Sequence, residues 1–327
     1  MGVKMLSIDV KILLVCILVG FMLSILSGML IIPSLKSLKA GQSIRELGPE
    51  SHKTKEGTPT MGGIIIIIAV SIVCFFITKD PKAIFVMFGM VLFGLLGFID
   101  DFIKVIMKRN LGLRAWQKIV GQIIATVVIL YLYNVLIGWD TKLLIPFAEE
   151  YIDLGIYFIP FTAFVIIGGV NAVNLTDGLD GLVTGVSIPV ALFFGAAGLV
   201  FMDKGIIVAA GALVGALLGF LRYNSHPAEV FMGDTGSFAI GGAIISLAIV
   251  SKMQLFLIIA GVIYIAEALS VIIQVGYFKY SYGKRLFKMA PIHHHFELSG
   301  WKETKITAVF GILSFIFCVI ALMGFNK

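Results

Sequence analysis

The sequence predicts an all-α fold, a polytopic transmembrane helix bundle of about ten spans with both termini outside and its polar chemistry on five cytoplasmic loops. Three observations predict it. Hydrophobic residues make up 59% of the 327 residues and charged residues only 13%, a composition suited to lipid rather than water. Apolar stretches that approach the thickness of a hydrocarbon core recur along the whole chain. Lys and Arg fall unevenly on the loops that alternate spans would place on opposite sides.

The spans follow in order. Residues 12–32 form an apolar run longer than a secretory h-region with no small-residue cleavage site after it, so it reads as a retained span. Spans at 63–78 and 82–99 are joined by the short Thr78 to Pro81 connection, and a fourth covers 119–139. The next connection, about Asp140 to Asp153 with Glu149 and Glu150, reads as a solvated outer cap. Spans at 155–175, 182–202, 205–221, 236–250, 254–275 and 306–324 complete the ten. Cys16, Cys74 and Cys318 lie inside apolar segments and behave as small hydrophobes rather than disulfide partners. No boundary, low-complexity tract or internal repeat divides the chain, so residues 1–327 are expected to form a single integral membrane domain.

With ten spans, the loops at 33–62, 100–118, 176–181, 222–235 and 276–305 share one face and carry 17 Lys and Arg, against 8 on the other. The positive-inside tendency makes the richer face cytoplasmic. The net charge of +6 therefore reflects loop bias, and no nucleic-acid partner is expected.

The acidic residues concentrate at the cytoplasmic ends of spans. Asp100 and Asp101 close the third span in Phe98-Ile99-Asp100-Asp101-Phe102-Ile103-Lys104; neighbours on a helix point about 100° apart, so the two take different roles. Lys104, one turn on, suits either a phosphate oxygen or an i,i+4 ion pair with Asp100. Asn171, Asn174, Asp177 and Asp180 recur every three residues and would stack along one side of a tight helical turn. Asp234 opens the eighth span in Phe231-Met232-Gly233-Asp234-Thr235-Gly236-Ser237, where free N–H groups and the helix dipole favour phosphate or a capping carboxylate.

In Pro291-Ile292-His293-His294-His295-Phe296-Glu297, adjacent imidazoles diverge, which argues against one three-His metal site; one or two of them suit phosphate binding or proton transfer. Oxygen ligands then favour Mg²⁺ or Mn²⁺. Residues 52–63 lack the Lys and Ser/Thr of a Walker A loop, so an ATP-driven pump has no support. An ion-coupled carrier would rest on Glu267 alone, the carboxylate inside the ninth span.

Taken in order over roughly residues 45–305, GTPTMGG, FIDDFIK, NAVNLTDGLDG, FMGDTGS and PIHHHFE resemble the polyprenyl-phosphate N-acetylhexosamine-1-phosphate transferases. PIHHHFELSGWKET points to the muramoyl branch; Ala308-Val309-Phe310 departs from an Arg-containing stretch of the family, outside the motifs. The resemblance implies a Mg²⁺-dependent sugar-1-phosphate transferase of the bacterial cytoplasmic membrane, a homodimer with its active site formed by the five cytoplasmic loops. It implies transfer of phospho-MurNAc-pentapeptide from UDP-MurNAc-pentapeptide to undecaprenyl phosphate, giving lipid I and UMP; transfer of N-acetylglucosamine phosphate is the rival within the family. By motif position Asp234 matches the metal ligand, and Asp100 and Asp101 the essential acidic pair, with Asp100 activating the lipid phosphate. His293 joins these as catalytic. Lys53, Thr58, Asn171, Asp177, Asp180, Asn224, Phe231, Gln274, His293 and His294 match positions lining the nucleotide pocket, and Lys104, Asn174 and His295 complete the expected substrate-binding set.

Overall fold

The structure, a computed structural model, describes residues 2–37, 57–107, 112–148 and 150–325. Its helices in chain order are α1 (Gly2–Ser37), α2 (Gly63–Ile77), α3 (Pro81–Ile106), α4 (Ala115–Leu136), α5 (Phe158–Thr176), α6 (Leu182–Phe201), α7 (Lys204–Asn224), α8 (Gly233–Val250), α9 (Leu257–Ala260), α10 (Val262–Tyr280), α11 (Ile292–Glu297) and α12 (Glu303–Met323). Nine of these are long and apolar enough to cross a membrane among the described residues. The tenth expected span is α2, apolar but only 15 residues long, or about 22 Å at 1.5 Å per residue.

The core is built around α7 and α8. Nearly every residue of both is buried, because their Ala- and Gly-rich faces let neighbouring backbones approach closely in lipid, where packing rather than water drives association. Helix α1 packs on α7, α3 on α8, and α6 on both α7 and α12. Hydroxyls reinforce two of these contacts: Ser24 donates to the Ala216 carbonyl at 2.9 Å and Ser314 to that of Val186 at 2.9 Å. Outward faces of α1, α4 and α12 carry large exposed apolar side chains such as Leu30, Val127 and Phe315, as lipid-facing surfaces do.

Two expectations change in detail. The segment 254–275 is not one uninterrupted helix: a 3₁₀ turn at Gln254–Phe256 leads into α9, and the chain breaks at Gly261 before α10, since glycine weakly supports helix. The outer connection is more than a solvated cap. Strands β1 (Lys142–Leu144) and β2 (Tyr151–Asp153) pair antiparallel, Leu143 and Leu144 are buried, and the Leu144 N–H donates to the Lys252 carbonyl at 2.9 Å. Asp140 pairs with Lys252 beside it. Glu149 lies outside the described residues.

Alternation along the bundle puts the C-terminal ends of α3, α5, α7 and α10 and the N-terminal ends of α4, α6, α8 and α12 at one end of the molecule. The polar motifs sit there, opposite the β hairpin.

Candidate active site

Asp100 and Asp101 occupy the last turns of α3, and Asp234 the first turn of α8. Each offers a carboxylate oxygen within 4.8 Å of the others. Two lysines bind them together. Lys104 Nζ lies 2.6 Å from Asp100 Oδ2, 3.4 Å from Asp101 Oδ1 and 3.1 Å from Asp234 Oδ2. Lys118, in the first turn of α4, reaches Asp234 Oδ2 at 2.6 Å and Asp100 Oδ2 at 3.2 Å. Lys104 thus makes the expected i,i+4 pair, and at the same time faces the whole acidic group.

The two adjacent aspartates do differ. Asp101, wholly buried, accepts from the Thr235 N–H at 2.9 Å and its hydroxyl at 2.7 Å, tying the end of α3 to the start of α8. Asp100 accepts from the Leu113 N–H at 2.7 Å and turns its other oxygen to the lysines. Gly233 makes the approach possible. Its φ of +72° suits glycine, and a Cβ there would stand 2.4 Å from Asp101 Oδ2 and 2.7 Å from Thr60 Oγ1. Asn174 donates to Asp234 Oδ1 at 3.0 Å and to Ser237 Oγ at 2.9 Å, which orients the Asp234 carboxylate.

Asp177 caps α5 on the rim of this group. Burial, followed by the charges of Asp234, Asp101 and Asp180, pushes its pKa up to about 8 against the pull of Lys104. Asp180, three residues on, is buried and lies in a second cluster: its Oδ2 is 3.0 Å from His226 Nδ1, which is 3.4 Å from Glu303 Oε2. Glu303 also accepts from the Asp180 N–H at 2.5 Å, so α12 holds the start of α6.

The other expected residues make further contacts around this group. Asn171 turns away and exchanges two amide hydrogen bonds with Gln122 of α4, at 2.8 and 3.1 Å. Asn224 is buried, accepting from Gly181 N–H at 3.2 Å and Thr184 at 3.0 Å and donating to the Val230 carbonyl at 3.1 Å. Gln274 accepts from the Leu286 and Phe287 N–H groups and donates to the Phe287 carbonyl, fastening the loop before α11. His294 Nδ1 lies 3.2 Å from Glu297 Oε2, and His295 accepts from the Lys288 N–H at 3.2 Å. Phe231 is held through its backbone, donating to Pro59 O at 2.8 Å and accepting from Gly62 N–H at 2.9 Å; Thr58 lies half-buried beside this bridge. His293 is fully buried against Glu267. Lys53 lies outside the described residues.

Lys118, Thr235, His226 and Glu303 are site residues that motif reading did not single out. Lys118 and Glu303 open helices like many interfacial charges, and their neighbours are far along the chain. Thr235 stood in a quoted motif, where its hydroxyl could only be read as one of several.

The arrangement concentrates negative charge at the junction of three helix ends, with ammonium groups within reach, and can neutralise and align phosphate groups. The model of glycosyl transferase family 4 matches residues 83–252, and signature 1 of the phospho-N-acetylmuramoyl-pentapeptide transferases matches residues 55–67. Proteins of that name from Caldanaerobacter subterraneus subsp. tengcongensis and Clostridium novyi are 50% and 48% identical over 300 and 315 residues. These alignments cover 91% and 95% of this chain and 94% and 96% of those relatives. The Bacillus subtilis protein of the same name is 45% identical over 320 residues, covering 95% of this chain and 97% of its own.

Proposed function

This chain belongs to the phospho-N-acetylmuramoyl-pentapeptide transferases, within glycosyl transferase family 4, and on that premise we propose how its residues carry out the transfer. It is a multi-pass membrane phosphoglycosyl transferase acting in lipid I synthesis. The donor is UDP-MurNAc-pentapeptide and the acceptor undecaprenyl phosphate. An acceptor phosphate oxygen forms a bond to the sugar-linked phosphorus while the phosphoanhydride bond breaks, and UMP leaves.

The observation that carries this reading is the set of three carboxylates and two lysines at one end of the bundle. A phosphate attacking a diphosphate must overcome like charge, and its reacting atoms must be held in line. Lys104 and Lys118 are placed to exchange carboxylate partners for phosphate oxygens. Asp100, turned towards both lysines, aligns the lipid phosphate and takes its proton when it carries one. Asp101 holds α3 to α8, which fixes the geometry between Asp100 and Asp234.

The donor set fits a divalent cation. Carboxylate oxygens within 4.8 Å of one another are the hard ligands Mg²⁺ prefers, and the lysines in contact with them mark where positive charge is drawn. Asp234, oriented by Asn174, would hold the ion with Asp100 beside it; when bound, it would supply charge neutralisation to the diphosphate. Asp177 and Asp180, with Phe231 and Thr58, are the nucleotide side of the site, while Asn171, Asn224 and Gln274 keep its walls in register. His294 and His295 flank the phosphates from the last loop. The loops face the cytoplasm, where the nucleotide sugar is soluble, and the working form is a homodimer, for which native mass spectrometry in detergent is the test.

The reaction itself is tested by offering UDP-MurNAc-pentapeptide and UDP-N-acetylglucosamine in turn with undecaprenyl phosphate and identifying the lipid product. Product from the first alone is expected; product from the second alone would transfer the chain to the other branch.

A further inference from the structure

Glu267 sits in the second turn of α10 and is fully buried. Its Oε2 lies 3.1 Å from Nδ1 of His293, itself fully buried on α11. The approach is oblique, and among the described residues neither carboxylate oxygen and neither ring nitrogen makes a well-aligned hydrogen bond. An ionisable pair withdrawn from water with no other satisfied partner calls for a reason. Ion coupling, the task a lone intramembrane carboxylate first suggests, does not suit a group with no solvent contact and a histidine against it.

The opposite edge of the imidazole supplies the reason. A Cβ built on Gly178 would stand 2.0 Å from His293 Nε2 and 2.5 Å from Cε1, so the ring presses on the backbone between Asp177 and Asp180. Those residues face the acidic cluster on one side and His226 with Glu303 on the other. The consecutive helices α10 and α11 and the sequence-distant α5–α6 loop therefore meet through one imidazole. In sites of this kind, a carboxylate behind a histidine fixes its tautomer and orientation.

We propose that Glu267 is a positioning residue: it sets the tautomer and orientation of His293, and His293 in turn holds residues 177–181 where they meet the nucleotide-linked substrate. The kinetic half of this rests on the substrate reading above; the structural half does not. His293 thus acts through the loop and not on the reacting phosphates.

The full-length protein labelled with ¹⁵N-histidine reports ring tautomers through its nitrogen shifts, and His293→Asn identifies the His293 signals. Those signals are expected to change in Glu267→Gln and to change further in Glu267→Leu, which removes the acceptor while keeping apolar bulk. In turnover assays, Glu267→Leu and His293→Asn each raise KM for UDP-MurNAc-pentapeptide roughly 10- to 100-fold while leaving KM for undecaprenyl phosphate within about twofold. The double variant is no worse than the weaker single, and Glu267→Gln, which retains an acceptor oxygen, recovers most of the loss. Additive losses, an equal rise in the lipid-phosphate KM, or unaltered His293 nitrogen shifts in Glu267→Gln overturn the proposal; that last spectrum decides even where Glu267→Leu fails to fold. Should the wild-type protein make no lipid product from this nucleotide, the substrate reading fails while the nitrogen spectra still decide the dyad.

Discussion

At the scale of single residues, the site is a balance of charge. Three aspartates share two ammonium groups, so replacing Asp234 by Asn removes a carboxylate from the centre of that balance without changing its volume. Asp234→Asn is expected to lower kcat at least about 100-fold with the thermal midpoint in detergent retained, read from lipid-product formation and a melting curve. Lys118 competes with any cation for Asp234 and Asp100. Lys118→Gln should therefore tighten Mg²⁺ binding, on the order of tenfold, seen as a larger rise in melting temperature per added Mg²⁺, while KM for the nucleotide substrate increases. Asp177 keeps its proton in the folded state up to about pH 8, whereas an unfolded aspartate loses it near pH 4. The folded protein then binds one proton more across that window, and this residue's contribution to stability falls as pH rises through it. Melting in EDTA from pH 5 to pH 8 should drop less for Asp177→Asn than for the wild type.

At the scale of elements, what matters is how closely helix ends can meet. The α3–α8 junction depends on Gly233, whose left-handed backbone alone would cost an alanine about 1–2 kcal/mol, before the clash with Asp101 and Thr60. Gly233→Ala should lower thermal stability and activity together, as measured by unfolding and turnover on the same preparation. This junction also marks how far the sequence could be read. Asp100, Asp101 and Asp234 were legible because carboxylates beside apolar spans are rare enough to notice. Lys118 and Glu303 were not, because a charge opening a helix is ordinary in a membrane protein and its partners are set by packing. Asn171 and Asp180 share a three-residue spacing, yet one turns to Gln122 and the other to His226; periodicity places side chains on a helix face, but the neighbouring helices decide what that face meets.

At the scale of the whole molecule, the ten apolar segments were legible because lipid requires continuous hydrophobic length, while the break at Gly261 and the β hairpin were hidden, since neither alters hydropathy. Sidedness can be measured directly. The native cysteines are buried, so Lys284→Cys and Lys142→Cys, at exposed positions on opposite ends, give a clean background. A membrane-impermeant maleimide should label Lys142→Cys in intact cells and Lys284→Cys only after permeabilisation. Helix α2 has a different consequence. Its 15 apolar residues reach about 22 Å, against a hydrocarbon core of about 30 Å, and it begins where the Gly62 and Gly63 N–H groups donate to the Phe231 and Met232 carbonyls beside the acidic cluster. Where a bilayer meets this side of the bundle, thinning to match α2 would draw the headgroup plane towards the site and shorten the climb of an acceptor phosphate. Turnover in vesicles should accordingly vary with acyl-chain length, falling as the bilayer thickens, so that the lipid surrounding the enzyme acts as a regulator of its rate.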